Sequence, residues 1–135
     1  MPEGHLIHHL ARAHTRAFKG QPLAVSSPQG RFSREAAVVD GRVLEEVEAF
    51  GKHLFYAFTG DALVHVHLGM KGVTLLRGAS ALPIPQARVR FSGGEHALDI
   101  VAPSVCELGD ASLRARVVQR LGPDPLRDDV NEQAA

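Results

Sequence analysis

The sequence predicts a mainly β fold of the α+β class: an antiparallel β-sandwich flanked by an N-terminal and a C-terminal helix. Three observations predict it. The chain opens on an apolar stripe at helical spacing, its middle alternates short apolar runs with turn signals, and a second capped helical pattern closes it. With 135 residues, 44% of them hydrophobic, the chain has the length of one domain and enough apolar side chains for a core.

In the opening stretch MPEGHLIHHLARAH, apolar residues fall at Leu6, Ile7, Leu10 and Ala11 and continue through Ala17 and Phe18. Pro2 and Glu3 suit a first helical turn, and Lys19 and Gly20 suit the last turn and the stop. Residues 21–25 read as a short strand and 28–32 as a loop. Residues 42–48 read as a strand, interrupted by Gly51 as at a bend. Residues 53–58 and 63–68 pair across Thr59-Gly60-Asp61, and 73–76 resumes as a strand after Gly69-Met70-Lys71-Gly72. Residues 78–86 form a loop of small residues and prolines. Strands at 88–91 and 96–101 flank the hairpin signal Ser92-Gly93-Gly94-Glu95. Asp110 caps a helix through Arg120, closed by Gly122-Pro123, and the tail beyond Leu126 is polar.

Composition narrows the function classes. No apolar run is long enough to span a membrane, and no basic-then-apolar leader opens the chain. The single cysteine, Cys106, excludes an intrachain disulfide and a cysteine-rich zinc site and fits a reducing cytoplasm. The formal net charge is zero, but residues 1–34 carry five Arg or Lys against Glu3, and residues 35–48 carry five acids against Arg42. A basic N-terminal third favours phosphates, although charge segregation of this kind also marks ordinary solvated faces.

Four places could carry chemistry. Removal of Met1 leaves Pro2 as a secondary amine. An α-amino group titrates near pH 8, roughly two units below lysine, so it is a usable nucleophile close to neutrality. Glu3 beside it can move protons. Lys52, in Phe50-Gly51-Lys52-His53, either snorkels to the surface or aims a charge at a phosphate. His65 and His67 lie two apart on a strand and share a face; with no neighbouring carboxylate or cysteine they do not make a closed metal site, and His5, His8 and His9 pose the same question. Met70, between two glycines, either packs on the sheet or is offered to a partner as an apolar wedge.

Taken in order, MPEGH, GKHLF at 51–55, HLGMKG at 67–72 and RLGPDPL at 120–126 resemble the formamidopyrimidine-DNA glycosylase and endonuclease VIII family of base-excision-repair enzymes. SSPQGRF at 26–32 and PSVCEL at 103–108 are most similar to an actinobacterial endonuclease VIII-like branch. The resemblance covers the whole chain. It implies a catalytic β-sandwich domain over residues 1–121 and an interdomain hinge over 122–135. The family's helix-two-turn-helix region and its zinc finger, with one zinc ion, are expected after residue 126 and lie outside this chain; no cofactor is expected within it.

By the same resemblance, Pro2 is the nucleophile that displaces a damaged base at C1′ and forms a Schiff base, and Glu3 is its acid/base partner. Lys52 is a DNA-phosphate lysine, His67 a phosphate-contacting histidine, and Met70 the residue that fills the gap left by the extruded lesion. The implied partner is damaged double-stranded DNA, bound by a monomer in the cytoplasm at the nucleoid, with no membrane. The iminium permits β- and δ-elimination of the strand. The family's Arg-Arg-Phe cluster has no counterpart in Pro103-Ser104-Val105-Cys106-Glu107, which favours oxidised pyrimidines over 8-oxoguanine. The isolated domain is expected to bind and react weakly, and retention of Met1 turns the Pro2 nitrogen into an unreactive tertiary amide. Two other classes stand beside this one. An N-terminal-proline tautomerase is built on β-α-β repeats that this pattern lacks, and a non-catalytic β-sandwich binding module leaves Lys52, His67 and Met70 unexplained.

Overall fold

A computed structural model of the chain describes residues 4–122. Its elements in chain order are α1 (Gly4–Phe18), β1 (Ala24–Ser26), α2 (Ser33–Val39), β2 (Leu44–Phe50), β3 (His53–Phe58), β4 (Ala62–His67), β5 (Val73–Gly78), β6 (Ala87–Gly93), β7 (His96–Val101), β8 (Val105–Gly109) and α3 (Ala111–Leu121). Two four-stranded antiparallel sheets, ordered β1-β6-β7-β5 and β2-β3-β4-β8, form the sandwich. Alternate residues of each strand point to one side. Leu54, Tyr56, Phe58, Val64 and Val66 of one sheet therefore meet Val89, Phe91, Leu98 and Ile100 of the other in one buried cluster. Tyr56 and Phe91 mark the contact, with ring centroids 5.0 Å apart.

The helices flank this sandwich as the sequence predicts. On α1 the buried residues Ile7, Ala11, His14 and Ala17 form one stripe, which packs against β2. His14 Nδ1 lies 2.8 Å from the buried Tyr56 hydroxyl. α3 covers the opposite face of β2-β3-β4-β8, where Val117 joins Phe50, Phe55 and Leu63. Sheet β2-β3-β4-β8 is thus covered on both faces, which explains why residues 53–58 read as a nearly continuous apolar run. Asp110 caps α3, its Oδ1 accepting from the backbone N–H of Ser112 at 2.9 Å and of Leu113 at 3.3 Å.

Three departures from the sequence reading follow from local pairing. The first strand is shorter and shifted to Ala24–Ser26, because residues 21–23 bond instead to 42–44, through a Pro22–Val43 bridge and the backbone pairs Leu23–Arg42 and Leu44–Gln21. Ser33–Val39 forms a short helix between loop and strand, and Val105–Gly109 is an eighth strand, bonded to β4; neither was expected. The loop at 28–32 is present and is organised by Ser27, whose hydroxyl accepts from the N–H of Gly30 and Phe32 and donates to Arg88 O.

The outer face of the β1-β6-β7-β5 sheet carries a buried charge network. Asp99, wholly buried, accepts from Arg90 at 2.9 Å and from Arg77. The same guanidiniums donate to the carbonyls of Ala81 and Leu82, pinning the 78–86 loop across the sheet.

Candidate nucleic-acid interface

Phe50 pairs with His53, so Gly51 and Lys52 form a two-residue hairpin loop. Gly51 has φ +60° and Lys52 does not, the pattern of a turn that takes glycine at its first position and suits the strand twist. Gly51 thereby places Lys52 at the tip, half-exposed.

Directly across the hairpin, His53 pairs with His67, the last residue of β4. The loop that follows is shaped by two glycines. Gly69 has φ +68° and would bring a Cβ within 2.7 Å of Ser104 Oγ; a Cβ on Gly72 would sit 2.3 Å from Leu68 O. Ser104 anchors the loop by donating from its backbone N–H to His67 O at 2.9 Å. The result projects Met70 into solvent with 79% of its surface exposed, so it is not packed on the sheet. Leu6 and Leu10 of α1 line a shallow groove with Leu68, Gly72 and Val73. The start of α1 therefore lies at the same end of the sandwich as the Met70 loop. Lys52, His67 and Met70 are brought together there. Pro2 and Glu3, and the 123–126 part of the last motif, lie outside the described residues.

The shared face expected for His65 and His67 is present, and it holds two residues the sequence reading gave no role: His53 and Glu107. His53 stacks on His67 with centroids 4.4 Å apart and on His65 at 5.0 Å. His53 Nδ1 lies 2.8 Å from His65 Nε2, and His65 Nδ1 lies 2.7 Å from Glu107 Oε2. His67 Nδ1 donates to Lys52 O at 3.3 Å. The Cα pairing of Glu107 with His65 could not be read without β8, and His53 was visible only through the hairpin register. Burial, and then the neighbouring charges of His67, His65 and Arg120, bring the His53 pKa down to about 4. Burial lowers that of His65 too, against the opposing pull of Glu107. Next to this cluster, Glu107, Leu113, Arg116, Gln119 and Arg120 line a cleft of about 620 Å³.

Other sequence candidates resolve differently. Arg12 and Arg16 of α1 line one groove with Glu46 and Glu48, so part of the basic stretch lies near part of the acidic one. Glu48 also takes a two-point ion pair from Arg114, at 2.7 and 2.9 Å. Burial drives the Cys106 thiol up to about 12, so it is no thiolate nucleophile at neutral pH. Among the described residues, no three His, Cys, Asp or Glu are arranged to hold a metal ion, and no helix is long and apolar enough to cross a membrane.

Comparison with known proteins agrees with this geometry. The family model of the formamidopyrimidine-DNA glycosylase N-terminal domain matches residues 1–103. Over 141 residues the chain is 50% identical to a protein named endonuclease 8 1 from Mycobacterium tuberculosis H37Rv, covering all of this chain and 52% of that one. It is 32% identical to a Mycolicibacterium smegmatis protein named DNA-(apurinic or apyrimidinic site) lyase Nei2, again covering all of this chain and 52% of the relative. The chain thus spans about half the length of the curated relatives it matches. Among solved structures, a Lactococcus lactis formamidopyrimidine-DNA glycosylase non-covalently bound to DNA containing an AP site superposes with a TM-score of 0.80 at 17% identity, over 95% of this chain and 53% of that one. At that identity the likeness shows the fold.

Proposed function

The chain belongs to the formamidopyrimidine-DNA glycosylase N-terminal domain family, and from that premise we propose that it is the nucleophile-bearing half of a bifunctional DNA glycosylase and AP lyase. Its substrate is damaged double-stranded DNA, with oxidised pyrimidines favoured, and its place is the cytoplasm at the nucleoid. The observation that carries the reading is the convergence of the Lys52 turn, His67 and the exposed Met70 loop at the end of the sandwich where α1 starts. Two phosphate-seeking side chains beside an exposed apolar one suit a duplex from which one base has been extruded.

In this mechanism the unprotonated amine of Pro2 attacks C1′ and the damaged base leaves with the bonding pair, taking up a proton. Glu3 delivers a proton to the ring oxygen as the sugar opens to an iminium. The cation acidifies the 2′ hydrogen; its loss expels the 3′ phosphate, and water later releases the protein. Lys52 and His67 hold backbone phosphates, and Met70 occupies the vacated stack. No step here uses a metal ion.

The test is strand cleavage of a duplex carrying an abasic site, with Met1 removed, in wild type and Pro2→Ala. Cleavage that Pro2→Ala abolishes supports the reading. Cleavage unaffected by Pro2→Ala overturns the amine mechanism, and turnover of a small keto acid without DNA cleavage moves the chain to the tautomerase class.

A further inference from the structure

We propose that Glu107 and His65 are positioning residues for the DNA-contacting turn: they lock His53 in one tautomer, His53 is the platform on which His67 stacks, and His67 in turn holds the Lys52 carbonyl. The proposal rests on the DNA reading of Lys52 and His67 given above.

The tautomers follow from donor and acceptor accounting alone. An ionised Glu107 carboxylate only accepts, so His65 donates to it from Nδ1. The neutral His65 then has a bare Nε2, which must accept from its partner at 2.8 Å, so His53 carries its proton on Nδ1. At the other end, a backbone carbonyl only accepts, so His67 donates from Nδ1 to Lys52 O. The chain therefore runs from Glu107 through two hydrogen bonds and one ring stack, of 4.4 Å and 24°, to the hydrogen bond on the turn that carries Lys52. It needs His53 and His65 uncharged, because a second proton on His65 would set two donors against each other. Their burial and the facing charges of His67 and Arg120 keep them so. Free imidazole prefers the proton on Nε2, so the Nδ1–H form of both rings is a signature imposed by Glu107. With its Nδ1 hydrogen on Lys52 O, His67 reaches a phosphate oxygen only by donating from a protonated Nε2, as the imidazolium, and a ring held between His53 and Lys52 O loses less freedom on binding than a free one.

The experiment uses the full chain with imidazole ¹⁵N labelling, and the variants Glu107→Ala, Glu107→Gln and Lys52→Ala. Glu107 is 45% exposed on its side chain, so its removal leaves the core intact. The expected ¹⁵N shifts show Nδ1–H on His53 and His65 in wild type, and a return toward Nε2–H in Glu107→Ala. The Glu107→Gln variant retains an accepting oxygen and keeps the wild-type pattern. Binding to a duplex carrying an abasic site weakens about two- to tenfold in Glu107→Ala, the worth of one hydrogen bond, and less in Glu107→Gln. Unchanged tautomers, or unchanged binding in Glu107→Ala while Lys52→Ala binds more weakly, overturn the proposal. If wild type and Lys52→Ala bind the duplex equally, the DNA reading itself fails and the proposal falls with it, whatever the ¹⁵N shifts show.

Discussion

At the scale of single residues, the histidines divide by burial and not by sequence. His14 is buried beneath α1 against Tyr56, and burial takes its pKa from 6.5 to about 4. Between those values the unfolded chain binds a proton that the folded chain refuses. His14 therefore costs nothing above pH 6.5, and stability falls as the pH drops toward 4, by about 3 kcal/mol from this group. His53 acts in the same direction but is half-exposed. Urea denaturation at pH 7 and pH 4.5 checks this: the double variant His14→Leu, Tyr56→Phe should lose much of the pH dependence while leaving no polar group stranded. A wild-type profile flat over that range would contradict the burial account. His67 and Met70 were legible as candidates because both fall in one short local motif, HLGMKG, whose glycines set off Met70. Pro2 and Glu3 were candidates as a terminal amine beside a carboxylate, given their roles by the resemblance, and they lie outside the described residues.

At the scale of elements, what a strand or loop needs locally decided what could be read. Residues 53–58 and 96–101 were recognised residue for residue, because apolar runs end there at glycine-bearing turns with φ of +60° and +57°. The helix at Ser33–Val39 escaped notice because Phe32 stands at its start without a side-chain cap, and the helix ends on two valines. β8 escaped because its residues are all half-buried, with no clean alternation, and pairing with β4 alone defines it. Glu107 went unnoticed with it. The Met70 loop makes a sharper demand. Gly72→Ala would drive a Cβ to 2.3 Å from Leu68 O, so the loop or the Leu68 backbone must shift. The expected loss is about 1–3 kcal/mol in urea denaturation, with poorer closure of the loop around Met70. Asp110→Ala should speed amide exchange at Ser112 and Leu113, the N–H groups it caps, while leaving β4 protected.

At the scale of the whole molecule, the sandwich has one sheet packed by other elements on both faces and another whose outer face is closed by a salt-bridge clasp. Charge that is segregated along the chain is partly mixed in space: Arg12 and Arg16 line one groove with Glu46 and Glu48, and Arg114 is ion-paired to Glu48. A formal net charge of zero says nothing of how charge is distributed and does not argue against a phosphate-binding face at the Lys52 end. The clasp should matter to global stability. Asp99 is completely buried between Arg77 and Arg90, and Asp99→Ala leaves a buried guanidinium without its counter-charge. A loss of about 3–5 kcal/mol is expected, and a denaturant midpoint within error of wild type would show that the 78–86 loop opens to water instead. In the proposed mechanism the Pro2 amine does the chemistry on a DNA strand that Lys52, His67 and Met70 position. Borohydride reduction of the protein mixed with an abasic-site duplex tests it most directly, since it converts a Schiff base into a stable amine link. The expected result is a covalent protein–DNA product whose cross-linked peptide begins at Pro2. A product linked through a lysine, or none from the full-length protein with Met1 removed, would contradict it.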